Sequence, residues 1–159
     1  MNQEKITLNT SVPDFTAEST IKPFNLSDYK GKKIVLYFYP KDNTPGCTTE
    51  SICFRDTYEN FQSANTAIVG ISRDSLKSHE NFSQKLQLPF PLISDKEEIL
   101  CNQFDVMKDK KRYGKISRGI ERSTFLLDEE GKLINEWRNV KVAGHVDEVL
   151  ETVQKLSAA

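Results

Sequence analysis

At 159 residues the chain has the length of one domain, spanning residues 1–159 and large enough to bury a core without disulfide or metal support. Lys+Arg 22 against Asp+Glu 23 leave a formal charge of −1, so there is no basic excess to neutralise a phosphate backbone or an anionic membrane, and nucleic acid is not an expected partner. The longest apolar run, Ile34 to Tyr39, falls far short of the ~20 residues of a spanning helix, and Met1-Asn2-Gln3-Glu4-Lys5 lacks the basic start and apolar stretch of a signal peptide, so a soluble, cytoplasmic protein is expected.

In chain order, the first strong element is Ile34-Val35-Leu36-Tyr37-Phe38-Tyr39. It is continuously apolar, rich in β-branched and aromatic residues and stopped by Pro40, as befits a central strand buried on both faces. A Pro- and Gly-containing loop then enters a helix with Cys47 in its first turn. Along that helix Cys47, Phe54, Tyr58 and Phe61 lie close to one face, which places Cys47 at the rim of the core, while Ile52 points about 160° from Phe54, toward solvent or a partner. Ala67–Ile71 reads as a second strand. Asp74 or Ser75 caps a helix to about Leu86, with His79 on its exposed face, and Asp95 caps one to about Phe104 that buries Cys101 as a small hydrophobe. Ser123–Leu127 and Lys132–Trp137 flank the Asp128-Glu129-Glu130-Gly131 turn as a hairpin, and Tyr37 and Trp137 are expected in the core. After Gly144 the residues Val146, Val149, Leu150, Val153 and Leu156 describe an amphipathic helix, with His145 at its entry. These elements predict an α/β fold: a mixed central sheet with helices on both faces and a C-terminal hairpin plus helix.

The cysteine set, Cys47, Cys53 and Cys101, is odd and sparse, unlike a secreted disulfide framework. Three cysteines and two histidines show no metal-ligand spacing, and no metal or cofactor is expected. The loop is the chemically informative segment. In Pro40-Lys41-Asp42-Asn43-Thr44-Pro45-Gly46-Cys47-Thr48-Thr49-Glu50 a thiol sits where unpaired backbone N–H groups and the positive end of a helix dipole stabilise a thiolate, the species that attacks.

This run from Tyr37 to Glu50, followed by Phe54-Arg55-Asp56, resembles the active-site segment of peroxiredoxins of the bacterioferritin comigratory protein or peroxiredoxin Q subfamily. Val12-Pro13-Asp14-Phe15, Gly70-Ile71-Ser72, Leu88-Pro89-Phe90-Pro91-Leu92, Gly119-Ile120-Glu121-Arg122-Ser123-Thr124-Phe125 and Gly144-His145 are similar in order and spacing. The resemblance implies a thioredoxin-like fold and Cys47 as peroxidatic nucleophile. It also implies that Thr44 offers its hydroxyl to the sulfur or the peroxide, Pro40 shields the sulfur, and Arg122 favours the thiolate and steadies the peroxide oxygens. Glu50 is expected to orient Arg122 by a carboxylate pair. The implied reaction is reduction of hydrogen peroxide and organic hydroperoxides through a sulfenic acid at Cys47, recycled by thioredoxin or a similar thiol donor, in a monomer or weak homodimer. The alternative is a peroxide-sensing switch or chaperone without sustained turnover, since a sensor also needs a reactive thiolate; a dithiol oxidoreductase is disfavoured because no Cys-x-x-Cys is present.

In this subfamily an intrahelical resolving cysteine stands five residues after the peroxidatic one, which here is Ile52, with Cys53 one residue later. Either spacing puts the two Cα atoms about 9 to 10 Å apart in an intact helix, beyond the ~7 Å limit, so bridging requires unwinding. The next helix contains no cysteine. A one-cysteine cycle is favoured, with Cys53 and then Cys101 as alternative resolving thiols.

Overall fold

Lys33–Phe38 lies at the middle of the fold, buried along its whole length. The computed structural model describes residues 5–158; residues 1–4, on which most of the signal-peptide reading falls, and residue 159 lie outside them. In chain order the elements begin with β1 (Thr16–Ala17) and β2 (Phe24–Asn25), an antiparallel ribbon, followed by a 3₁₀ turn at Leu26–Tyr29. Then come β3 (Lys33–Phe38), α1 (Pro45–Asp56), α2 (Tyr58–Ser63), β4 (Thr66–Ser72), α3 (Leu76–Leu86), β5 (Leu92–Ser94) and α4 (Ile99–Gln103). The chain closes with β6 (Met107–Arg112), β7 (Lys115–Ile120), β8 (Ser123–Leu127), β9 (Leu133–Trp137) and α5 (His145–Ala158).

The main sheet has the order β5-β4-β3-β8-β9. β3 runs parallel to β4 and antiparallel to β8, so Leu36 lies between Val69 and Phe125; the sheet is mixed, as the sequence predicts. Alternate residues of β3 feed two cores. Ile34, Leu36 and Phe38 pack with Leu100, Cys101, Phe104 and Phe125 under α4 and the N-terminal segment. Val35, Tyr37 and Tyr39 pack on the other face with Cys47, Phe54, Phe61, Phe82 and Val149, beneath α1, α2, α3 and α5.

Several local expectations are corrected. The helix expected to run unbroken through Phe61 divides at Thr57, whose hydroxyl donates to the Cys53 carbonyl at 2.8 Å; Phe54 and Phe61 still reach the core, and Tyr58 is half-buried. Ile52 is half-buried against the second core rather than facing outward. The helix expected from Asp95 starts only at Ile99, because Glu98 takes a left-handed backbone (φ 63) that no α-helix continues through. Asp95 still caps it, accepting the N–H groups of Leu100 and Cys101 at 3.2 and 2.8 Å. The β6–β7 hairpin was not legible, since its lysine-rich strands carry no apolar alternation; it closes on Tyr113 and Gly114, both at positive φ (53 and 76), the geometry that matches strand twist in a tight hairpin.

Candidate active site

β3 runs out at Phe38, and the loop after it turns through Asn43 (φ 65) before entering α1. Pro45 is tolerated at the first helical position, where its missing N–H had no partner and its fixed φ suits the helix. Thr44 is the N-cap, yet its side chain does not cap: the hydroxyl gives its hydrogen to the Lys41 carbonyl at 2.8 Å. The hydroxyl that the resemblance offers to the sulfur or the peroxide thus directs its one hydrogen to Lys41, and its two lone pairs remain for a ligand. Pro40 is half-buried just beyond the end of β3. Cys47 is the third residue of α1 and only 1% exposed.

Arg122, in the two-residue passage from β7 to β8, reaches across to α1. Its carbonyl accepts the N–H of Val140 at 2.9 Å. Nη1 donates to Glu50 Oε1 at 2.6 Å and Nη2 donates to Cys47 Sγ at 3.4 Å, so one guanidinium joins two acids a helical turn apart. Glu50 is completely buried, and among the described residues its Oε2 has no hydrogen-bond partner. Burial pushes its carboxyl up to about 7, against the opposing attraction of Arg122. Gly46 is a residue that sequence reasoning missed. A Cβ there would stand 3.1 Å from Arg122 Nη2, so the bare backbone makes room for the guanidinium.

The other thiols differ sharply in placement. Cys101 is fully buried in the core on the opposite face of the sheet from Cys47, and burial pushes its thiol upward. Cys53 is half-buried on α1, its thiol also raised, first by burial and then by Asp147 on α5. Tyr37 lies in the core as expected, its hydroxyl 2.9 Å from Ser51 Oγ and its ring stacked on Phe54. Trp137 is half-buried against the same core. His145 is a buried helix-entry residue: burial pushes it down to about 4, so it is neutral at pH 7, and its Nε2 shares a hydrogen bond with Thr124 Oγ1 at 2.7 Å.

His79 is a correction. It is fully buried rather than exposed, with Nδ1 2.7 Å from Asp42 of the Cys47 loop. The signal was present, since His79, Phe82 and Leu86 share one face of α3 at spacings of three and four, and all three are buried.

Residues 8–135 match the AhpC/TSA family. The chain is 58% identical over 132 residues to peroxiredoxin Bcp of Bacillus subtilis, covering 83% of this chain and 84% of that one. It is 54% identical over 129 residues to peroxiredoxin Bcp of Xanthomonas campestris, covering 81% of each. A solved structure of the Xanthomonas campestris bacterioferritin comigratory protein, studied for alkyl peroxide reduction, superposes with a TM-score of 0.86 at 48% identity, over 90% of this chain and 92% of that one. Peroxiredoxin Q of Xylella fastidiosa superposes with a TM-score of 0.90 at 40% identity, over 98% and 99%. The chain belongs to the AhpC/TSA family, among its peroxiredoxins of the Bcp and Q type. It thus has a thioredoxin-like fold and is a thiol-dependent peroxidase, an oxidoreductase that takes a peroxide substrate and a thiol reductant. Among the described residues no helix is long and apolar enough to cross a membrane.

Proposed function

We propose that Cys47 is the peroxidatic nucleophile and that hydrogen peroxide and small organic hydroperoxides are its substrates. The observation that carries this reading is the 3.4 Å contact between Arg122 and the Cys47 sulfur in the first turn of α1. A fixed cation and a helix N-terminus both favour sulfur as the anion. The thiolate attacks the terminal peroxide oxygen; an S–O bond forms as the O–O bond breaks, sulfur is oxidised to the sulfenic acid, and the departing oxygen takes up a proton to leave as water or alcohol. Arg122 stabilises the charge that grows on the breaking bond, Glu50 orients the guanidinium, and Thr44 accepts the peroxide O–H on its free lone pairs. Pro40 holds the loop at the exit of the strand.

Recycling is by an external thiol of thioredoxin type, in the cytoplasm, on the whole chain acting as one domain that is monomeric or weakly dimeric. The burial of Cys101 across the sheet and the raised Cys53 thiol support a cycle without an internal resolving thiol, because thiolates rather than thiols attack oxidised sulfur. Intact mass and peptide mapping after one equivalent of peroxide test the whole reading. The expected product is a single added oxygen on Cys47, and Cys47→Ser abolishes consumption; full activity of that variant would refute the assignment. Consumption of many equivalents with a thioredoxin system distinguishes an enzyme from a sensor, which is oxidised once and stops.

A further inference from the structure

Outside the Cys47–Arg122–Glu50 set, a second buried and densely bonded polar group lies behind the same loop. Asp42, between Pro40 and Thr44, is buried, and its carboxylate accepts three hydrogen bonds: Tyr39 OH donates to Oδ1 at 2.7 Å, while Ser78 Oγ and His79 Nδ1 donate to Oδ2 at 2.8 and 2.7 Å. Its backbone N–H donates to Asp74 Oδ2 at 2.9 Å. The far ring nitrogen of His79 lies 2.9 Å from the carbonyl oxygen of Ile93 on β5.

The partners define how the ring is held. Both ring nitrogens face acceptors, Nδ1 the Asp42 carboxylate and Nε2 the Ile93 carbonyl, so a hydrogen on Nδ1 ties the ring to the loop. The remaining polar neighbours of the ring, Tyr39 OH and Ser72 Oγ, are both at 3.4 Å and both neutral. The donor atoms of Asp42, Asp74 and His79 lie within 4.8 Å of one another, but those of Asp42 and His79 are occupied by the bonds just described, and the group reads as a strut.

We infer that His79, through its buried hydrogen bond with Asp42, is a positioning residue for the peroxide site: it ties the loop that carries Thr44 and leads into Cys47 to α3 and β5. The inference rests on Cys47 being the nucleophile. Beside the Asp42 N–H bond to Asp74, the rest of the loop adds little among the described residues: Lys41 and Asn43 are exposed, and Thr44 bonds back to Lys41 and forward into the helix. Fixing Asp42 fixes the N-cap, and through it the first turn of α1, at the point where a displacement of about 1 Å lowers reaction rates by large factors. Cys47, at 1% exposure, is reached by a bulky thiol reductant only when this region opens. Loss of the strut therefore slows oxidation without slowing re-reduction, a split that general destabilisation would not produce.

The test compares wild type with His79→Gln, Asp42→Asn and the double variant. Oxidation of Cys47 by hydrogen peroxide is followed separately from reduction of the sulfenic acid by dithiothreitol. Oxidation is expected to fall at least roughly tenfold in each single variant, the double variant to be no slower than the slower single, because both remove one bond, and re-reduction to be as fast as wild type or faster. An oxidation rate for His79→Gln within about twofold of wild type, or losses that multiply in the double variant, would overturn the inference. Where His79→Gln does not fold, Asp42→Asn carries the comparison. ¹⁵N NMR of the wild type supplies an independent reading. A hydrogen on Nδ1 of His79, shared with the Asp42 carboxylate, is expected, and a bare Nδ1 beside an ionised Asp42 would refute the strut. Should Cys47→Ser remain active, the nucleophile assignment fails while the NMR result still reports on the pair.

Discussion

Arg122 divides its guanidinium between Glu50 Oε1 at 2.6 Å and Cys47 Sγ at 3.4 Å, and Glu50 offers only one of its two oxygens in return. Two buried acids thus compete for a single, partly buried cation. Removal of the cation strips the sulfur of its fixed positive neighbour. Arg122→Leu is expected to lower Cys47 oxidation by on the order of 10²-fold and to slow its alkylation at pH 7. An unchanged alkylation profile would separate the arginine from the sulfur.

Glu50 carries a stability signature of its own. Its carboxyl titrates at about 7 in the fold against 4.5 in the unfolded chain, so between those values the unfolded state has lost a proton that the folded state keeps. Stability from this group therefore falls as pH rises from 4.5 to 7, by on the order of 3 kcal/mol for a fully buried group. Glu50→Gln, whose amide oxygen can still accept from Arg122, is expected to lose that slope and to exceed wild type in stability at pH 8. Urea unfolding at a series of pH values is the measurement, and parallel curves for the two proteins would show the carboxyl ionised throughout.

His145 contributes the opposite slope. Burial holds it at about 4 against 6.5 unfolded, so the unfolded chain takes up the proton first and stability falls as pH drops from 6.5 to 4. The Glu50 and His145 slopes oppose each other over their overlap. His145→Gln is expected to keep its unfolding midpoint below pH 6 better than wild type does, at some cost at pH 8 through the altered bond to Thr124. Equal acid sensitivity of the two proteins would assign the slope elsewhere.

Gly46→Ala places a methyl group 3.1 Å from Arg122 Nη2, closer than the pair can stand unmoved. The guanidinium is expected to shift by a few tenths of an ångström and Cys47 oxidation to fall roughly tenfold, with the thermal midpoint nearly unchanged because Gly46 has ordinary helical geometry. Stopped-flow oxidation beside a thermal melt checks both halves.

Cys53→Ser is expected to leave steady-state peroxide turnover within about twofold of wild type. A thiol raised by burial and by Asp147 makes a poor attacking group, and it stands six residues along an intact helix from the sulfur it would resolve. Collapse at the recycling step, with oxidation intact, would restore Cys53 as the resolving thiol.

The sequence by itself determined the parts that depend on near neighbours along the chain. Ile34–Tyr39 announces a buried strand, the Asp128–Gly131 turn a hairpin, and the Thr44–Cys47 spacing a thiol at a helix entrance, because periodicity, turn chemistry and helix ends are all local. What only the tertiary structure decided lies in contacts between distant segments. Arg122 is 75 residues from Cys47 and is an ordinary charge before a strand until the sheet brings them together. His79, 37 residues from Asp42, looks exposed until the helix is seen with that face turned to the core. The hydroxyl of Thr44 had two directions open to it, and the fold of the loop turned its hydrogen to Lys41. Periodicity can put a polar side chain on a buried face, as it does His79 beside Phe82 and Leu86, but whether it meets water, a cation or a carbonyl there is set by which elements the hydrophobic cores pack beside it.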